Sequence, residues 1–163
     1  MEHGIPCNAY SFVKKGQIRI DKSKLKKLKI KEGPHLAELK KGKDIVFNGK
    51  KFKAKDITYE DENRKVSFVL DTRDNKKIIP FVKDADLLIC ESSFEKELAE
   101  QAREHLHLTS EQAGEIAKKA KVKKLVLTHL SQRYEKNPKL ILNEAKKVFK
   151  NTFVVKDFDV LEI

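Results

Sequence analysis

The chain has 163 residues, 39% of them hydrophobic, which is enough for one domain with a proper core and short for two. Its formal net charge is +11, and its two cysteines, Cys7 and Cys90, stand too far apart for a disulfide framework or a CxxC metal knuckle. No run approaches the ~18 apolar residues of a membrane helix, and Met1-Glu2-His3-Gly4 lacks a basic or apolar leader, so a soluble, cytoplasmic protein without membrane contact is expected.

Residues 8 to 20 read as two short strands around Lys14-Lys15-Gly16. Asp21 to Leu28 is a lysine-rich helical turn, Glu32-Gly33-Pro34 breaks it, and His35 to Lys41 forms another short helix. With few apolar anchors, this segment is expected to bury little surface and to project from the main body. Asn48-Gly49, between Ile45-Val46-Phe47 and Phe52, signals a hairpin. Val66 to Leu70 is then a buried strand, and Asp86 to Cys90 the next, with Cys90 an inert core thiol. Phe94 to Glu104 has the pattern of an amphipathic helix, and Thr109-Ser110-Glu111-Gln112 is a capping box opening a helix to about Ala120. Lys124 to Thr128 is a third strand, with the aliphatic character of a parallel strand buried on both faces. Pro138 to Phe149 closes as a helix, and Thr152 to Val155 and Phe158 to Leu161 resemble terminal strands. Strands alternating with helices predict an α/β layered sheet in a single domain spanning 1–163, with a basic arm at about 14–43.

Charge is unevenly spread. Lys14 to Lys55 holds 16 Lys or Arg against four Asp or Glu, a surplus exceeding the net charge of the whole chain. Such a stretch favours a polyanion, because neutralising phosphates releases counterions. The alternative is a merely solvated lysine-rich surface. Lysine predominates over arginine, which suits backbone contact better than base reading.

Three strands end in polar clusters: Asp71-Thr72-Arg73, Glu91-Ser92-Ser93, and His129-Leu130-Ser131-Gln132-Arg133-Tyr134. If the strands are parallel neighbours, the clusters meet at one sheet edge, where open α/β sheets carry their chemistry. A neutral imidazole at His129 can ligate a metal, and the planar fork of Arg133 suits phosphate. Taken singly, Asp71 could equally cap a turn and His129 could be a satisfied surface histidine. His105-Leu106-His107 has the spacing of a metal site, but no Asp-His pair follows it. The better reading is one functional histidine, His107, just before a capped helix whose N-terminus disfavours imidazolium and attracts phosphate. An ordinary surface histidine is the alternative.

The order His3-Gly4-Ile5-Pro6 with Tyr10, Asp71-Thr72-Arg73, Glu91-Ser92-Ser93-Phe94, His107 to Ala113 and Leu127 to Tyr134 closely resembles ribonuclease Z, the tRNA 3′-processing endoribonuclease of the metallo-β-lactamase fold. The resemblance spans essentially the whole chain and includes Gly33-Pro34, similar to the family's protruding arm. It implies an α/β fold equivalent to the C-terminal half of a metallo-β-lactamase αββα sandwich with a basic protruding arm. It also implies zinc, two ions in the complete site, with His3, Asp71 and His129 as ligands and Asp71 bridging. His107 then matches the proton donor to the leaving oxygen, Glu91 the residue that orients it, and Arg133 with Ser131 the contacts to the scissile phosphate. Lys22, Lys24, Lys26, Lys27 and Lys29 would meet phosphates of precursor tRNA.

The family's first metal motif, His-x-His-x-Asp-His, is absent from these residues, so three ligands would serve two metals. The implied activity is removal of the 3′ trailer, with zinc activating water against a phosphodiester. A complementary N-terminal half, or a homo-oligomer, is expected to cover the open sheet. Other readings are a non-catalytic tRNA-binding module and a phosphodiesterase of the same fold acting on a small substrate.

Overall fold

The computed structural model describes residues 1–156 and 158–163. In chain order the elements are β1 (Tyr10–Lys14), β2 (Ile18–Ile20), α1 (Lys22–Lys27), α2 (His35–Lys40), β3 (Ile45–Phe47), β4 (Lys50–Phe52), α3 (Ala54–Ile57), β5 (Thr58–Glu60) and β6 (Arg64–Val69). Then come α4 (Ile78–Val82), β7 (Leu87–Glu91), a 3₁₀ turn (Lys96–Leu98), α5 (Ala99–Glu104), α6 (Ser110–Lys119), β8 (Lys124–Thr128), a second 3₁₀ turn (Gln132–Tyr134), α7 (Lys139–Val148) and β9 (Thr152–Val154). They form two compact units, one of Met1–Val13 with Arg64–Ile163 and one of Lys14–Asn63. No described helix is long and apolar enough to cross a membrane.

The larger unit is built on a five-stranded sheet of order β1-β6-β7-β8-β9, with β6 to β9 parallel. Val69, Cys90 and Leu127 lie in register and turn to one face, where Ile78, Ile116 and Ile141 from α4, α6 and α7 complete the core. Burial pushes the Cys90 thiol far above its ordinary value, with the Glu91 charge adding to the effect, so it is inert. The expected capping box is present: the Thr109 hydroxyl accepts from Gln112 N–H, and the Gln112 side chain accepts from Thr109 N–H. Glycine at position 114 lets α6 approach α7, since a Cβ there would lie 3.1 Å from the Ala145 carbonyl oxygen.

Two expected elements do not form as read. Phe94 to Glu104 is not one helix, because the backbone of Phe94 pairs with Leu108 and Ser110 in an isolated parallel bridge, so regular helix begins only at Ala99. Phe158 to Leu161 forms no strand: Phe158 is 99% exposed and has a φ of 72°, outside the extended region.

Asp86, expected as the first residue of a strand, instead stands just before β7 and is 6% exposed. It accepts from Lys65 N–H at 2.7 Å and pairs with Lys123 at 2.9 Å. Burial alone would raise its pKa. Lys123, the Lys65 amide and Arg64 outweigh that and hold it below its ordinary 3.8. A depressed carboxylate contributes stability that is complete above its unfolded pKa and is lost as pH falls through the folded one. Melting temperature should therefore decline as pH drops below 3.8, and Asp86→Ala should remove part of that decline while costing about 2 kcal/mol at neutral pH. Melting curves from about pH 6 to pH 2 test this. A decline of equal size in the variant would contradict it.

The smaller unit holds the basic segment. Asn48 and Gly49 take φ values of 50° and 74°, the pair of positive angles that closes a tight hairpin between β3 and β4. β2 pairs antiparallel with β5. The segment is better anchored than its composition suggests: Leu25, Ile30, Leu39, Ile45, Ala54 and Ile57 form a core of their own. Sparse leucines at helical spacing turn inward while the lysines between them stay in water.

Candidate active site

Parallel pairing brings the polar strand ends together at the C-terminal edge of the sheet. Asp71 follows β6, Glu91 ends β7 in register with Thr128, and His129 follows β8. Asp71 and His129 have φ values of 48° and 53°, left-handed conformations that aspartate and histidine tolerate better than most residues. His107 arrives by a different route. Helix α5 ends in a Schellman motif, with His107 N–H donating to the Ala102 carbonyl at 2.8 Å and Leu106 N–H to that of Arg103 at 3.2 Å. Leu106 occupies the left-handed position at φ 61°, where glycine is usual. The N-terminal segment is tied to the turn after β6, since Glu2 N–H donates to the Thr72 hydroxyl and Arg73 N–H to the Glu2 carbonyl. That brings in His3.

Glu91, fully buried, is the hub of this edge. Its carboxylate accepts from Thr72 N–H at 2.5 Å, Leu108 N–H at 3.2 Å, the Ser93 hydroxyl at 3.0 Å and His107 Nδ1 at 3.0 Å. Four partners satisfy a charge that burial alone would make costly. A carboxylate only accepts, so His107 donates through Nδ1 and keeps Nε2 for other partners. His3 is held in the same way, its Nδ1 lying 3.3 Å from the Leu106 carbonyl oxygen. His129 Nδ1 lies 2.9 Å from the Ser93 hydroxyl, whose own proton goes to Glu91 or to the His129 carbonyl. All three imidazoles are therefore anchored through Nδ1 with Nε2 left for other partners, as metal-ligating histidines are.

Among the described residues, two buried side-chain oxygens have no hydrogen bond, Ser92 Oγ and Asp71 Oδ1. Asp71 Oδ1 is shielded from solvent and makes no hydrogen bond, although the side chain as a whole is 40% exposed. It stands 3.2 Å from His129 Nε2. Two acceptor atoms at that separation repel unless a cation joins them, whether a proton on the ring or a metal ion. Single ligand atoms from Asp71, His107 and His129 lie within 4.8 Å of one another. This donor set, neutral imidazole nitrogens and a carboxylate, fits a divalent metal.

Of the expected residues, Asp71, His107 and His129 thus converge, with Glu91 behind them. The His3 ring lies 5.1 Å from that of His107 and so borders the group. His3, His107, His129 and Ser131 line one cleft of about 480 Å³ with Ser93, Phe94, His105 and Leu130. A larger cleft of about 750 Å³, lined by Arg73, Lys76, Lys77 and Arg103 among others, opens on the other side of His107. Arg133 sits over Phe94, its guanidinium carbon 5.3 Å from the ring centroid. Lys22, Lys24, Lys26, Lys27 and Lys29 belong to the smaller unit, all exposed, the first four on α1. Sequence reading gave no role to Ser93, though a serine two residues past a strand-end glutamate was visible. Nothing in the sequence marks Leu106.

No family model matches the chain. The ribonuclease Z of Enterococcus faecalis is 38% identical over 168 residues, taking in all of this chain and 53% of that protein. That of Archaeoglobus fulgidus is 38% identical over 166 residues, taking in 99% of this chain and 54% of its own. The chain spans about half the length of the curated relatives it matches. Among solved structures, the metallo-beta-lactamase fold protein YhfI from Bacillus subtilis superposes with a TM-score of 0.56 at 33% identity, covering 61% of this chain and 40% of the other. The fold is that of the metallo-β-lactamase proteins.

Proposed function

Starting from a chain related along its whole length to the C-terminal half of ribonuclease Z, we propose that it supplies half of the active centre of an endoribonuclease that removes the 3′ trailer from precursor tRNA. The reading is carried by the shielded Asp71 Oδ1 facing His129 Nε2 without a hydrogen bond, amid imidazoles held by Nδ1. His3, Asp71 and His129 would hold zinc, two ions in the complete site. When bound, such ions polarise a phosphoryl oxygen and activate water. His107 protonates the leaving oxygen, with Glu91 fixing its orientation through Nδ1. Arg133 and Ser131 contact the phosphate, and the exposed lysines of α1, with Lys29, take the tRNA backbone.

Because the chain spans about half of its relatives' length, the remaining ligands would come from a complementary half bearing His-x-His-x-Asp-His. Metal analysis and precursor-tRNA cleavage, run on this chain alone and with such a half, test the proposal. Zinc uptake and cleavage only in the mixture would support it. A mixture that binds tRNA but takes up no metal would leave a binding module instead.

The open sheet face supports the need for a partner. Phe68, Ile89, Val126 and Phe153 lie in register on the face away from the helices. Phe12 packs edge-on against Phe68 while remaining 64% exposed, and Phe153 is 42% exposed. Aromatic patches of this kind mark interaction surfaces. The chain alone is therefore expected to self-associate at micromolar concentration, and to pair with the complementary half when that is present. Light scattering from a well-folded monomer under those conditions would overturn this.

A further inference from the structure

We propose that His105 is a stacking shelf for the nucleobase beside the scissile phosphate, an inference that rests on the RNA-processing reading above. Among the described residues lining the cleft, His105 is the histidine to which the proposed chemistry gives no task. It is exposed, and its ring lies nearly parallel to that of Phe94, at an interplanar angle of 11° and a centroid separation of 6.1 Å. Phe94 is a fixed backing. It is 7% exposed, its backbone is bridged to Leu108 and Ser110, and the Arg133 guanidinium sits over its ring. His105 is itself placed by the helix end, its N–H donating to the Gln101 carbonyl at 2.9 Å.

The outcome is a flat, pre-oriented aromatic surface two residues from His107 and in the same cleft as His3 and His129. A ring already lying parallel to a buried one needs little rearrangement when a base lands on it. Every base has a π face, so such a shelf accepts any of them and favours purines, which overlap it more. His105 is thus a positioning residue: it sets where the strand lies and leaves the proton chemistry to its neighbours.

The chain contains no tryptophan, so the emission of 2-aminopurine can be read against a low protein background. The probe is a short single-stranded RNA carrying 2-aminopurine next to the cleavage junction, titrated with the full chain. Binding should quench the probe. His105→Ala should abolish the quenching and weaken binding roughly tenfold, the scale of losing one base–aromatic stack. His105→Gln should behave like His105→Ala, while His105→Tyr should restore both signals, a rescue that a merely structural role would not produce. Unchanged quenching in His105→Ala, or no rescue by His105→Tyr, overturns the shelf while leaving RNA binding intact. A chain that fails to bind the RNA at all overturns both the shelf and the reading beneath it.

Discussion

Alanine at His107 should leave metal content near that of the unaltered chain and depress cleavage by roughly 100-fold or more, the scale of losing a positioned general acid. Asp71→Ala and His129→Ala, by contrast, should lower metal content itself, the first by removing the carboxylate proposed to bridge and the second by removing an imidazole. The contrast matters because His107 offers a ligand atom within 4.8 Å of those of Asp71 and His129, so proximity alone could make it a further ligand. Its Nδ1 partner is a carboxylate, whereas that of His129 is a serine hydroxyl. The bond to a buried carboxylate fixes the His107 ring more firmly than a neutral hydroxyl would, which suits a positioned proton donor. The measurement is metal content beside single-turnover cleavage for each variant, in the assembly with the complementary half. Loss of metal from the His107 variant would make His107 a ligand and vacate the role of proton donor.

Salt dependence should expose the role of the basic unit. Converting Lys22, Lys24, Lys26, Lys27 and Lys29 together to alanine should reduce the slope of log affinity for tRNA against log salt by roughly 3 to 5, given about 0.7 to 0.9 per phosphate contact. The unit should stay folded, because all five side chains are exposed while Leu25, Ile30 and Leu39 carry the local core. Helix α1 also keeps its cap, Asp21, whose carboxylate accepts from Ser23 and Lys24 N–H. An unchanged slope would make these lysines a solvated surface and nothing more.

The elements that announced themselves were those whose signal is local. Asp86 to Cys90 and Lys124 to Thr128 read as strands, the first within one residue of its observed bounds, because an apolar run has few other uses at that length, and the Thr109 capping box needs only four residues. What stayed hidden depends on partners distant in sequence. Phe94 looked helical because its spacing matched, yet its backbone is claimed by Leu108 and Ser110 across a parallel bridge. Glu91 was picked out only by resemblance, and three of its four partners, Thr72, His107 and Leu108, lie 16 or more residues away, so its full burial had no local sign. The small core of Lys14–Asn63 was missed because its six apolar members are spread over more than thirty residues among many lysines and make a faint pattern. The left-handed backbone at Asp71 and His129 left no trace either, since neither glycine nor asparagine marks those positions.

The leucine that ends α5 has a consequence reaching to the first residues of the chain. Glycine would hold the left-handed turn at no cost, whereas leucine there costs about 1 kcal/mol or more. The two backbone bonds of the Schellman turn keep it closed, and His3 adds a contact from outside, its ring nitrogen meeting the Leu106 carbonyl across 103 positions of sequence. The same turn aims His107. Ordering of the N-terminal residues and alignment of His107 are thus expected to be coupled. By reciprocity, whatever settles His3 in place also sharpens His107, and whatever engages His107 steadies the start of the chain.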